Sequence, residues 1–331
     1  MKKICLIHTG GVVAMEVNAE GVLVATADRQ RKLLDFIPAM ARIANIESKY
    51  LFQLDSSDIN PGHWQTIART IADCYEQFDG FVILLGSDTM AHTATALSFM
   101  IENLGKPIVL TDTHVPLTQI ASDNHSNLLN AMRFACEDIA EVSIMFSNVL
   151  LRGNRTKKTH DFAIHSFTSP NLKPLGEVGI DLRIHSHSFK THNKPIVLKT
   201  NIVKDIAVIK LFPGITNEHV LSMVPPRTKG IVIEGYGAGN IPLGNNGIQD
   251  AIENIVSQDV VVAIDTQCIY GGVEYSRYVG GAFAKKHGAL SSHDMTSESA
   301  IIKLMWVLGQ TEKRDKIKEL YEKNIIGELT E

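Results

Sequence analysis

Cysteine is scarce in this chain: four in 331 residues, at positions 5, 74, 136 and 268, without CxxC spacing. Such scatter fits neither a disulfide-stapled secreted domain nor a zinc-ligand pattern, and a reducing cytoplasm suits it best. Long apolar runs are missing too, since none approaches the roughly 18 to 20 residues that a membrane helix needs. The first run, Ile4-Cys5-Leu6-Ile7, meets His8 at once and is too short for the core of a signal peptide. No charge dominates: 32 Lys and Arg against 36 Asp and Glu leave −4, without the concentrated basic surface that nucleic acid selects. With 44% hydrophobic and 21% charged residues, the composition excludes disordered and collagen-like classes.

What the chain does contain is alternation. Its length favours about two domains. Lys3 to Ile7 and Phe81 to Leu85 are short continuous apolar runs of the kind buried on both faces of a parallel sheet. Between them Asn60-Pro61 predicts a helix start, with Trp64, Ile67, Ile71, Cys74, Tyr75 and Phe78 recurring on one face. A helix follows Asp88 and is expected to reach Leu104, with Gly105 as its left-handed cap. Pro107 to Leu110 reads as a strand, and Asp123 as the start of another helix. The polar, aperiodic stretch from His185 to Lys194, followed by Pro195, reads as part of an interdomain connection, after which strands are expected at 206–211, 230–233 and 260–264. Helices are expected at 218–223, 248–256, 298–308 and 311–323. This alternation implies βαβ units with right-handed crossovers. We expect an α/β protein of two domains with mainly parallel sheets: a larger one at 1–190, a linker at 191–204 and a smaller one at 205–331.

In open α/β sheets ligands bind beyond the carboxyl ends of the strands, which directs attention to His8-Thr9-Gly10-Gly11-Val12 and Gly86-Ser87-Asp88-Thr89. Paired glycines admit close approach of a ligand, and hydroxyls beside a carboxylate at a helix start suit an anionic group. Either loop alone reads equally well as a tight turn with an N-cap; together they point to a site. Asp55-Ser56-Ser57-Asp58, Arg152 to His160 and Tyr236 to Asn240 are further polar stretches, each also compatible with an ordinary exposed loop. Burial can turn a lysine into the base of a nearby hydroxyl, which pairs Ser87 with Lys158 as candidate nucleophile and base. The dinucleotide fingerprint G-x-G-x-x-G and the nucleophile elbow G-x-S-x-G are both absent from these loops. His185, His187 and His192 read as solvated side chains, and His8 as a structural histidine.

In order along the chain, Thr9-Gly10-Gly11, Asp55-Ser56-Ser57-Asp58, Asp79 to Val82, Gly86 to Ala91, Ser122-Asp123, Asn127 to Ala131, Arg152 to Thr156, Tyr236 to Asn240 and Thr266-Gln267-Cys268 resemble the bacterial asparaginase family, most closely its cytoplasmic type. The resemblance implies two α/β domains per chain and a homodimer or homotetramer in which the neighbour's smaller domain completes each site. It also implies hydrolysis of L-asparagine to L-aspartate and ammonia, without metal or organic cofactor. Carried over by position, Asp55, Ser56, Ser57, Gly86, Ser87, Asp88, Thr9, Gly11 and Asn240 bind the small amino acid, asparagine or aspartate. Ser87, Asp88 and Lys158 form the remaining catalytic constellation.

Two positions depart from the family. Val12 stands where the family's threonine nucleophile is usual, and Val22 stands near the place of the tyrosine that activates it. Both are read as degenerate catalytic positions. Removal of a nucleophile can cost roughly 10⁶-fold in kcat, so turnover requires another attacking group. One reading is an asparaginase-type amidohydrolase using Ser87 with Lys158, slowed by the loss at position 12. The other is a degenerate member that binds asparagine or aspartate as a sensor or structural protein.

Overall fold

The computed structural model describes residues 1–12, 15–17, 20, 23–25, 37–112, 124–245 and 247–330. Val22, Ser122 and Asp123 lie outside the described residues. The chain divides into two compact α/β units, Met1–Thr200 and Asn201–Glu331. The division falls within the 191–204 stretch expected as linker. Up to Thr200 that stretch is built into the first unit: Val197–Leu198 pairs antiparallel with Ile101–Glu102.

Eight described strands form the sheet of the first unit. They are β1 (Lys3–Gly10), β2 (Asn45–Leu54), β3 (Gly80–Leu84), β4 (Ile108–Thr111), β5 (Val142–Phe146), β6 (Val149–Arg152), β7 (Gly176–Val178) and β8 (Leu182–Ile184), in the spatial order β8-β7-β6-β5-β4-β3-β1-β2. From β2 to β5 every pairing is parallel; β6, β7 and β8 continue the sheet antiparallel. That antiparallel extension was not visible in the alternating pattern. It begins with a tight hairpin in which Ser147, at φ 58, takes the left-handed conformation between β5 and β6. β3 and β5 are buried along their whole length, as expected of strands covered on both faces.

Helices α1 (Pro61–Asp73), α2 (Met90–Met100) and α3 (Asn124–Ala135) belong to this unit. The start of α1 is fixed by its own side chains. Asn60 accepts from the Gly62 amide at 3.0 Å, and His63 Nδ1 accepts from the Asn60 amide at 3.2 Å. Trp64, Ile67, Ala68 and Ile71 are its buried face. α2 is buried nearly all round, and Trp64 Nε1 donates to Thr93 on it at 3.0 Å.

α2 stops four residues before the expected end. The chain leaves the helix at Ile101 because the short pairing with Val197–Leu198 takes over its backbone bonds. The left-handed residue is Asn103, at φ 58, rather than Gly105. Gly105 is needed for another reason: a Cβ there would lie 2.1 Å from the His192 carbonyl oxygen.

The second unit has a sheet of four described strands, β9 (Ile206–Lys210), β10 (Gly230–Gly235), β11 (Val261–Thr266) and β12 (Leu290–Ser291), in sequential order and all parallel. Its helices are α4 (Asn217–Ser222), α5 (Gln249–Ser257), α6 (Val279–Lys286), α7 (Ser297–Gln310) and α8 (Arg314–Glu322). α6 and β12 had no counterpart in the sequence reading. Its glycines Gly280 and Gly281 and its exposed Val279 obscure the helical period of α6. Each unit has its own apolar core, one around Ile4, Leu6, Val82, Met132 and Phe134, the other around Ile231, Ile233, Ile252 and Ile264.

Candidate active site

The parallel part of the first sheet runs β2-β1-β3-β4-β5, so the chain reverses its direction of winding between β1 and β3. A crevice forms outside the carboxyl ends of strands at such a switch point, and ligands bind there. The ends of β1, β2 and β3 with the described residues that follow them, and Asp112 directly after β4, lie at that end.

At the carboxyl end of β1, Thr9 is buried and its Oγ1 donates to the Leu84 carbonyl of β3 at 2.7 Å. That hydroxyl ties two strand ends together and is closed off from an attacking role. Gly10 at φ 122 and Gly11 at φ 88 then turn the chain, and a Cβ on Gly10 would sit 2.1 Å from the Leu54 oxygen. No other residue fits both demands. Val12 follows, its amide donating to Asp112 Oδ2 at 3.1 Å.

After β2, Asp55 caps the single turn Ser56–Asp58 by accepting from the Ser57 amide at 2.8 Å. Asp55 and Ser57 are exposed; Ser56 is buried, and both its hydroxyl and its carbonyl reach the next loop. Its Oγ accepts from the Asp88 amide at 3.2 Å, and its carbonyl from Thr89 Oγ1 at 2.7 Å. Gly86 is required by this approach, since a Cβ on it would meet Ser56 Oγ at 2.7 Å.

After β3, Ser87–Thr89 makes one turn and runs into α2, an eleven-residue helix whose N-terminus favours negative charge. Lys158 arrives from a different part of the chain. Beyond β6 the turn Gly153–Arg155 presses against α2, where a Cβ on Gly153 would lie 2.7 Å from that of Ala94. Lys157–Lys158 then pairs with Phe167–Thr168, which aims Lys158 back at the start of the helix. Lys158 Nζ donates to Ser87 Oγ at 2.8 Å and to Asp88 Oδ1 at 2.6 Å. The pair is not a stability device, because Asp88 is 63% exposed and such ion pairs are worth about 0 to 1 kcal/mol. It is an orienting device, holding one amine against one buried hydroxyl.

Of the residues expected at a site, Thr9, Gly11, Val12, Asp55, Ser56, Ser57, Gly86, Ser87, Asp88 and Lys158 therefore stand on neighbouring loops of one sheet edge. Asn240 belongs to the second unit. It closes a Gly-rich turn after β10 by exchanging two backbone hydrogen bonds with Tyr236, at 2.7 and 2.8 Å, while Gly237 and Gly239 adopt positive φ. Glu234, at the end of the same strand, lies 3.9 Å from Lys210. Asp112 was missed by sequence reasoning. Its signal was there, a lone carboxylate directly after an apolar strand, at the end where ligands bind. His8 is buried, stacked on Tyr50 with ring centroids 4.4 Å apart, and its Nε2 meets Ser48 Oγ at 3.3 Å. Burial pushes its pKa from the usual 6.5 down to about 4, so it is a neutral structural ring. Among the described residues no cluster of three or more His, Cys, Asp or Glu side chains is placed to hold a metal ion, and no helix is long and apolar enough to cross a membrane.

The family models described as asparaginase, N-terminal, and glutaminase/asparaginase C-terminal domain match residues 3–190 and 205–321. The chain belongs to the asparaginase family. L-asparaginase 1 of Escherichia coli strain K12 is 36% identical over 334 residues, spanning 99% of this chain and 98% of that protein. Two solved structures superpose with TM-scores of 0.90, each covering 99% of both chains. They are the thermostable L-asparaginase from Thermococcus kodakarensis, 33% identical, and L-asparaginase I from Vibrio cholerae, 34% identical. The two α/β units, larger first and smaller second, are thus the asparaginase fold. This asparaginase-family chain has valine where the resemblance led us to expect a threonine nucleophile, and its Ser87, Asp88 and Lys158 are drawn together.

Proposed function

We propose that this protein is an asparaginase-type amidohydrolase that splits L-asparagine into L-aspartate and ammonia, with Ser87 as nucleophile. The observation that carries this reading is the 2.8 Å contact between Lys158 Nζ and Ser87 Oγ at the switch point. In the first half-reaction Ser87 Oγ attacks the amide carbon as its proton passes to Lys158 Nζ acting as the free amine, and the ammonium so formed gives that proton to the amide nitrogen, which leaves as ammonia. Water then hydrolyses the Ser87 ester, releasing aspartate and restoring the hydroxyl. The start of α2 lies beside the reacting carbon in this scheme and favours the negative charge that develops on its oxygen. Asp88 orients Lys158 and, with Ser56, Ser57, Asp55, Thr9, Gly11 and Gly86, forms the pocket for the amino acid's polar ends.

Asn240 is assigned to the site of a neighbouring copy, in a homodimer or homotetramer. Support comes from the surface beside its turn: Gly280 packs on Ile241 and Asn240, and the adjoining Val279 is 77% exposed, as is much of Tyr278. The four cysteines are free, which suits residence in the cytoplasm.

One observation favours a second reading, a protein that binds asparagine or aspartate without rapid chemistry. Position 12 offers no side-chain oxygen, and the Thr9 hydroxyl ahead of that turn donates to the Leu84 carbonyl. Ammonia release from L-asparagine by the purified protein, run beside calorimetric binding of asparagine and aspartate, separates the two. Turnover that Ser87→Ala abolishes supports the enzyme; binding with no turnover supports the sensor.

A further inference from the structure

Asp112 is buried at the carboxyl end of β4, yet its side chain serves a loop two strands away. The strand end that carries it is held from both sides: Leu85 donates to the Thr111 carbonyl at 3.2 Å, Thr111 Oγ1 donates to the Met145 carbonyl at 2.9 Å, and Asn127 Nδ2 of α3 donates to the Asp112 carbonyl itself at 3.0 Å. From this fixed base the carboxylate crosses the end of β3 and accepts from the Val12 amide at 3.1 Å. Both of its oxygens also lie 2.9 Å from where a Cβ on Gly11 would be, so Gly11 leaves room for the carboxylate itself.

The turn that it grips needs such a hold. Gly10 and Gly11 are consecutive residues at positive φ, and glycine pairs lose little on leaving one conformation for another. The Gly11–Leu54 backbone contact, at 3.4 Å, is long and weak. A buried acceptor on a rigid strand end supplies the missing constraint, and it bridges β4 to β1 across the point where winding reverses.

We propose that Asp112 is a positioning residue for the ligand site: through the Val12 amide it sets the conformation of the Gly10–Gly11 turn and with it the β1 side of the crevice. This rests on the amino-acid-binding reading above. The hydrogen-bond acceptor, rather than charge, is the active feature. Asparagine at position 112 keeps that acceptor, whereas alanine removes it.

The test uses the intact chain with Asp112→Asn, Asp112→Ala and Gly11→Ala, read by L-aspartate calorimetry and by hydrogen exchange at individual amides. Asp112→Ala is expected to weaken aspartate binding by about tenfold or more and to speed exchange of the Val12 amide by at least about tenfold, while β3 and β5 amides keep their protection. Asp112→Asn is expected to stay within about threefold of wild type in both. Gly11→Ala, whose methyl group collides with the carboxylate, is expected to reproduce the binding loss. An Asp112→Ala protein that binds as wild type does, or an Asp112→Asn protein that fails as alanine does, overturns the proposal. So does loss of protection throughout the sheet in Asp112→Ala, which would mark a purely structural role. A wild-type chain that binds neither aspartate nor asparagine overturns the underlying reading of the site and this inference with it; binding that survives every substitution overturns this inference alone.

Discussion

Lys158 Nζ stands 2.8 Å from Ser87 Oγ although 71 residues separate the two in the chain. The relationship depends on packing at a distance from either group, namely Gly153 against Ala94 on α2, so the lysine and the serine are delivered by opposite approaches to one helix. Removal of the hydroxyl in Ser87→Ala is expected to cost up to about 10⁶-fold in kcat, the scale for loss of a nucleophile. Lys158→Met, which keeps the length of the side chain and removes the amine, is expected to cost about 10² to 10⁴-fold, the scale for a general base. Both are measured as ammonia release from L-asparagine. A Ser87→Ala protein with wild-type turnover would rule out serine attack.

Val12→Thr tests the same assignment from the other side. If Ser87 attacks, a hydroxyl at position 12 is redundant, and kcat is expected to change by less than about tenfold, an effect below 1.4 kcal/mol on the barrier. A rise of about 10³-fold or more would mean that the native loop is a disabled active site and would move the weight to the binding reading. Steady-state kinetics of the single variant decide the matter.

The parallel core and most helices were legible because they rest on local signals. Asn60-Pro61 announces α1, and Ile4 to Ile7 and Phe81 to Leu84 carry the continuous apolar character of strands covered on both faces. The antiparallel edge was not legible, because β7 and β8 are three residues each and their pairing is settled by neighbours rather than by composition. The same division runs through the site. Ser87 and Asp88 announce themselves beside a helix start, and Lys158 entered through resemblance and its chemical type. Nothing local says that Asp112 turns toward Gly11, since that contact exists only once β4 and β1 flank β3.

His8 makes stability depend on pH in a defined window. Its pKa is about 4 in the folded chain and near 6.5 when unfolded, so between these values the unfolded state binds a proton that the native state refuses. Stability from this source is present in full above pH 6.5 and falls as pH drops toward 4, by an amount on the order of 3 kcal/mol. His8→Phe keeps a ring against Tyr50 and cannot titrate. Urea midpoints measured from pH 7 to pH 4.5 are expected to fall less steeply in the variant than in wild type. Identical slopes would exclude His8 as a source of the acid sensitivity.

Lys303 and Glu328 form an ion pair with no exposed side-chain surface on either partner. Burial lowers the pKa of Lys303, and the charge of Glu328 opposes that shift. The amine also donates to the Lys323 carbonyl at 2.6 Å, while Glu328 accepts from the Ile325 and Ile326 amides at 3.0 and 2.8 Å. The pair therefore fastens the segment after α8 onto α7. Removing one partner leaves the other charge buried, so Lys303→Met is expected to destabilise the second unit by about 3 to 5 kcal/mol. Adding Glu328→Gln to it removes the stranded charge while keeping an acceptor for the two amides, and is expected to recover most of the loss. Chemical denaturation followed through the second unit's transition compares the three proteins. A double variant no more stable than Lys303→Met would mean that the lysine acts by filling space and bonding the Lys323 carbonyl, with the charge of Glu328 incidental to the cost.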